Sequence, residues 1–148
     1  MIAGVLGISP DGRSVAITVT QDPPSYLIIK DMATGQVYSV EIQPRLLQWS
    51  HDSSKLAVID QNGNIYIVNR DGSGLQKIYQ FDPQSLADWA WLPNDNTILL
   101  LVYPDIPDIE KTELVSISMT GDVNNIDSIP TTAGYDVAGI SPLPAIKK

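Results

Sequence analysis

Apolar and polar residues alternate along this chain in short runs. Val15, Ile17 and Val19 are spaced by two, as are Ile98, Leu100 and Val102. A period of two puts every second side chain on one face of an extended strand. The runs stop at residues that favour turns: Pro10-Asp11-Gly12, Asn62-Gly63, Asp71-Gly72-Ser73-Gly74 and Thr120-Gly121. Proline presets φ in such turns, glycine takes the positive φ they need, and Asn-Gly between apolar runs is a strong hairpin signal. The pattern predicts strands at Val5–Ser9, through Val15, Ile17 and Val19, at Tyr26–Lys30 and at Val37–Ile42. It continues with Leu46–Ser50, Leu56–Ile59, Ile65–Val68 and Leu75–Gln80, then Trp89–Leu92, Ile98–Val102, Leu114–Ile117 and Val123–Ile129.

These strands recur as a unit. VLGISPDGRSVAITV from Val5 aligns with LLQWSHDSSKLAVID from Leu46, and that with ADWAWLPNDNTILLLV from Ala87. Pro10, His51 and Pro93 are equivalent, at spacings of 41 and 42 residues, and Val15, Leu56 and Ile98 then coincide. A further copy opens at Tyr135 with YDVAGISP. Pro142 lies 49 residues after Pro93, so the third unit carries an insertion of about seven residues.

Four antiparallel strands in about 40 residues is the period of a propeller blade. The fold class is therefore all-β: three four-stranded blades at about 1–44, 45–85 and 86–133, with the start of a fourth repeat over 134–148. The segments SPDGRSVAI and WSHDSSKLAVI and the DMATGQV and NRDGSGLQ hairpins resemble the WD-like repeats of TolB-type β-propellers. In that family an aromatic-Ser-Pro-Asp-Gly turn joins the innermost strand of each blade to the next strand. The chain departs from it at His51, which replaces the proline, and at Leu143-Pro144, which replaces Asp-Gly.

Three blades do not close a ring, since propellers use about four to eight. Val15, Ile17, Leu27, Ile29 and their equivalents give each blade apolar faces that a neighbour must cover. Two arrangements satisfy this: a longer propeller that includes these blades, or a homodimer completing a six-bladed ring. The second is expected, with the strand near Tyr135–Ile140 available for exchange between copies. Another protein is the remaining partner.

Composition narrows the chemistry. Ile, Val and Thr number 18, 11 and 8, and 14 of the 17 acids are Asp, a turn former rather than a helix former. A net charge of −8 argues against nucleic acid as partner. No apolar run is long enough for a spanning helix, so no membrane partner is expected. The first residues, MIAGVLGISPDG, lack the basic and apolar regions of a signal peptide, which leaves the compartment open with the cytoplasm as default. The absence of Cys and the single His51 argue against a thiolate nucleophile and a multi-histidine metal site.

Candidate sites are few. His51 stands at a turn position and has no distinguishable nucleophile. Asp60-Gln61-Asn62-Gly63-Asn64 imitates the start of a calcium loop, but Ser73 and Gly74 lie where the late bidentate acid belongs, so a hairpin fits better. Trp49 and Trp91 precede the repeat turn in the same register and read as packing residues, with Trp89 on the same side of its strand as Trp91. The insertion Tyr103–Lys111 exceeds what a turn requires, and long loops on rigid scaffolds often bind. In propellers that this chain resembles, such loops share a face with the connections between blades. The resemblance thus groups Asp22, Tyr26, Asn62, Tyr103, Asp105, Asp108 and Glu110 as a binding face, with Arg45, Gln84 and Asp136 nearby. No catalytic residue, metal or cofactor is expected. The function expected is a non-enzymatic scaffold for protein–protein interaction or self-assembly. The alternatives are the gating propeller of a larger serine peptidase, whose Gly-x-Ser-x-Gly elbow the chain lacks, or a sugar-processing propeller using acids such as Asp88 or Asp136.

Overall fold

A computed structural model of the chain describes residues 2–20, 25–103 and 111–130. Every element among them is a strand. Strands β1 (Ile2–Ile8), β2 (Ser14–Thr20), β3 (Tyr26–Asp31) and β4 (Val37–Val40) form one antiparallel sheet in sequential order. Strands β5 (Pro44–Trp49), β6 (Lys55–Asp60), β7 (Asn64–Asn69) and β8 (Gln76–Gln80) form the second. The third holds β9 (Leu86–Trp91), β10 (Thr97–Val102), β11 (Lys111–Ser118) and β12 (Val123–Pro130). These are three propeller blades, and they do not close into a ring among the described residues.

The three blades repeat even their irregularities. Each first strand carries one extra residue against its partner, between Ala3 and Leu6, between Pro44 and Leu46, and between Leu86 and Asp88. Such a bulge bends the strand and increases its twist. A blade therefore leaves the ladder at the same place each time and presents its side chains to its neighbour in the same way.

Burial follows from where a blade stands in the row. Leu56, Val58 and Val68 pack with Ala16, Leu27, Ile29, Val40 and Trp49 of the first interface. Their neighbours Ala57, Ile59, Ile65 and Ile67 pack with Trp91, Ile98, Leu100, Val115 and Ile117 of the second. Blade 2 is thus buried on both faces, and β6 has four consecutive buried residues where an edge blade shows alternation. Blade 1 turns Ala16, Leu27 and Ile29 inward, because Ala16 is paired with Ile29. Val15 and Ile17 belong to the opposite, outer face. The four residues of the sequence pattern are thus divided between two faces.

Candidate functional site

The blades present two ends. At one lie the connections between blades together with the turns between second and third strands. Asp60 Oδ1 accepts from the Asn62 amide at 2.8 Å and the Asn64 amide at 2.9 Å, and its Oδ2 accepts from Asn64 Nδ2 at 2.7 Å. The carboxylate that opens the calcium-like stretch is therefore engaged by its own hairpin. The Phe81 amide donates to the Gly63 carbonyl at 3.0 Å, which fastens the β8–β9 connection to this turn. Gly63 has φ +78°, and a Cβ there would run into the Phe81 carbonyl. Arg45 Nη1 donates to the Pro83 carbonyl at 3.2 Å, and the Tyr103 amide to the Ser85 carbonyl at 2.8 Å.

Of the residues grouped from the sequence, Asn62 and Tyr103 are exposed at this end, with Arg45 and Gln84 beside the same connection. Tyr26 is half-buried where β3 begins, opposite Val19. Asp22, Asp105, Asp108, Glu110 and Asp136 lie outside the described residues.

The other end holds the turns between first and second strands, and they form a system the sequence reading did not anticipate. Ser9-Pro10-Asp11-Gly12, Ser50-His51-Asp52-Ser53 and Leu92-Pro93-Asn94-Asp95 each close with the fourth amide donating to the first carbonyl, at 2.8–3.0 Å. The fourth residue has positive φ in all three: 74° at Gly12, 63° at Ser53 and 53° at Asp95. Serine and aspartate hold that strained conformation because their side chains reach back to the preceding blade. Ser53 Oγ accepts from the Asp11 amide at 3.0 Å. Asp95 accepts from the His51 amide at 2.7 Å and the Asp52 amide at 2.9 Å. Beneath them, Trp49 Nε1 donates to the Gly7 carbonyl at 3.2 Å and Trp91 Nε1 to the Gln48 carbonyl at 3.0 Å. Each interface therefore carries the same two fasteners, one indole and one turn side chain. Comparison of Gly12, Ser53 and Asp95 down the repeat was the available signal.

His51 Nδ1 stands 2.9 Å from Asp95 Oδ1, a pairing that resembles two parts of a hydrolytic triad. The neighbouring hydroxyls of Ser50 and Ser54 both donate to Asp52, at 2.7 Å, and not to the imidazole. The pair fastens turns. Trp49 and Trp91 are buried at the two interfaces, with Trp89 half-buried against the second.

A second inter-blade tie comes from Arg70, which occupies the hairpin position of Met32 and Met119 and whose Nη1 lies 2.6 Å from Asp11 Oδ2. The Arg70 guanidinium, the Ser9 hydroxyl and the Arg13 amide hold the Asp11 carboxyl well below the usual carboxylate range. The Ser50 hydroxyl, then the Ser54 amide and hydroxyl, pull Asp52 down to about 2. Burial raises Asp95, but the His51 amide and ring and the Asp52 amide outweigh it and leave a lowered value. Between blades 1 and 2 these turns border an open cleft of about 480 Å³, lined by Ser14, Asp31, Tyr38, Asp52, Lys55 and Arg70 among others. Its acids are held by local donors, Asp31 by the Thr34 and Ala33 amides and Asp71 by Ser73.

A pH dependence follows. Groups whose folded pKa lies below the unfolded value of about 4 favour the folded state while ionised and lose that contribution on protonation. Stability is expected to be flat from pH 7 to 5 and to fall as pH drops from about 4 to about 2. Urea midpoints across this range test it, with a smaller fall in Asp52→Asn; a midpoint rising toward pH 2 would refute the assignment.

No family model and no curated protein matches the chain. Solved structures do. A putative TolB from Agrobacterium tumefaciens superposes with TM-score 0.60 at 17% identity, over 88% of this chain and 50% of that one. The β-propeller domain of the Trilobed protease from Pyrococcus furiosus, described as having an open velcro topology, gives TM-score 0.58 at 16% identity, over 81% and 40%. An oligogalacturonate lyase from Vibrio parahaemolyticus gives TM-score 0.60 at 12% identity, over 82% and 38%. The chain spans half or less of each of these proteins. With its three sequential four-stranded blades and their repeated turns, the chain has the fold of a TolB-like β-propeller, with three blades in an open row among the described residues.

Proposed function

We propose that the chain is a non-enzymatic scaffold that assembles through its two open blade faces and offers the connection end, around Asn62 and Tyr103, to a protein partner. One observation carries this reading: blade 2 is buried on both faces, while the outer faces of blades 1 and 3 have no described strand against them. Ile8 is 62% exposed. Val15, Ile17, Val19 and Ile28 on blade 1, and Leu99, Leu101 and Leu114 on blade 3, are only half-buried. At about 25 cal/mol per Å², several hundred Å² of such surface left in water forfeits on the order of 10 kcal/mol. That is comparable to the whole stability of a domain. The binding role also includes the sequence-grouped Asp22, Tyr26, Asp105, Asp108 and Glu110.

Light scattering on the purified 148-residue chain is expected to give about twice 16.1 kDa. A monomer at micromolar concentration would overturn self-assembly. The second reading, a propeller portion of a larger hydrolase or a sugar-processing enzyme, is supported by the shared fold of the Trilobed protease propeller and the oligogalacturonate lyase. Its discriminating residue is Asp88, exposed on β9 with Oδ1 bound to the Trp89 amide at 2.8 Å. Cleavage of an oligogalacturonate that is lost in Asp88→Asn would favour it.

A further inference from the structure

The repeated fasteners specify how another blade must meet this chain, and the ends of the row are where they are incomplete. In each intrachain interface the later blade contributes a tryptophan before its turn and an oxygen-bearing side chain at the fourth turn position. Blade 1 has Ile8 where blades 2 and 3 have Trp49 and Trp91, and Gly12 where they have Ser53 and Asp95. Blade 3 presents the complementary half, the Ala90 carbonyl as acceptor and the Asn94 amide as donor, at the positions of Gln48 and Asp52. Among the described residues the Asn94 amide has no hydrogen-bond acceptor. The sequence of the chain's next repeat does not carry that fastener. Its fourth turn position is Pro144, whose ring fixes φ near −65° and forbids the positive value seen at Gly12, Ser53 and Asp95.

We infer that blade 3 of one copy docks on blade 1 of a second copy in the register of the two intrachain interfaces, so that Gly12 of each copy lies over Asn94 of the other. This rests on the self-assembling scaffold proposed above and adds which faces meet, in which order and in what register. The faces suit one another: both are strands of β-branched or leucine side chains, as the buried interfaces are. The size also suits two copies, because the propeller domain of the Trilobed protease is matched over only 40% of its length by 81% of this chain. Two such junctions, related by a two-fold axis, close six blades. Each junction lacks both fasteners, so it is the weakest seam in the ring.

The chain has no cysteine, so an engineered pair reports without background. The contact between the Asp11 amide and Ser53 Oγ at 3.0 Å brings equivalent positions within bridging reach of a disulfide. A Gly12→Cys, Asn94→Cys double variant is therefore expected to form, under mild oxidation, a covalent species of two chains that stops there. Gly12 suits substitution because no atom lies within 4 Å of a Cβ built there. Asp11→Cys with Ser53→Cys, bridging within one chain, confirms that the geometry oxidises. A second measurement needs no oxidation: Gly12→Ser should lower the dimer dissociation constant about tenfold relative to Gly12→Ala, which bears the same backbone strain without the oxygen. A ladder of longer cross-linked chains would overturn the two-copy ring. A dimer in the wild type, with no cross-link in the Gly12→Cys, Asn94→Cys variant and no response to Gly12→Ser, would overturn this docking while leaving the scaffold reading intact. A wild-type monomer would remove both.

Discussion

Replacing Trp91 by alanine is expected to destabilise the protein by about 4 kcal/mol, read as a fall in the urea midpoint. Trp91 is 4% exposed and belongs to the cluster formed by Ile59, Ile65, Ile98 and Leu100, where blades 2 and 3 meet. Truncating a buried indole there removes its transfer free energy and leaves a cavity that two rigid sheets cannot close. The same change strands the Gln48 carbonyl, which accepts from Nε1 at 3.0 Å. Trp91→Phe separates the contributions: it keeps most of the volume, loses the hydrogen bond, and should cost about 1–2 kcal/mol. Equal losses in the two variants would mean that the bond, not the volume, holds this interface.

Gly63→Ala is expected to cost about 3 kcal/mol, although it adds a single methyl group. Two effects combine. The backbone at φ +78° is unfavourable for any residue with a Cβ, and the added carbon would meet the Phe81 carbonyl, a backbone atom that cannot rotate away. Gly12 has nearly the same φ, +74°, with open space around it. Gly12→Ala should therefore cost only about 1 kcal/mol. The difference between the two variants, measured by chemical denaturation, isolates the steric part. Similar losses at both positions would mean that the β8–β9 connection moves aside.

The contrast between those glycines marks what a single sequence reveals. Asn62-Gly63 announced a hairpin because turn chemistry is local. The strands on either side followed from alternation, and the repeat spacing then implied stacked blades. Burial on both sides of β6 was not visible in Lys55-Leu56-Ala57-Val58-Ile59-Asp60, since a run of apolar residues does not say which neighbour covers which face. Likewise Val15 and Leu27 both looked like core, but pairing register sends them to opposite sides of the sheet. The turn fasteners were harder still. Ser53 and Asp95 are ordinary turn residues in isolation, and their role exists only because another blade's amide lies within 3 Å. For the connection end, the resemblance to TolB-type propellers grouped Asn62 and Tyr103, and both are exposed there. The insertion after Tyr103 falls outside the described residues, so its part in binding rests on the sequence.

The indole, turn and Arg70 fasteners point one way, each reaching from a later blade to an earlier one, and none spans more than one interface. The free energy of the row is then close to a sum of blade terms and nearest-neighbour couplings, as in a one-dimensional lattice. Blade 2 enters two couplings and each terminal blade one. Thermal opening should accordingly begin at the ends and travel inward, and closing the row on a second copy would abolish the ends. Association would thus do more than hide surface. It would turn a chain that frays into a cycle in which every blade has two neighbours, with cooperativity set by the weakest seam.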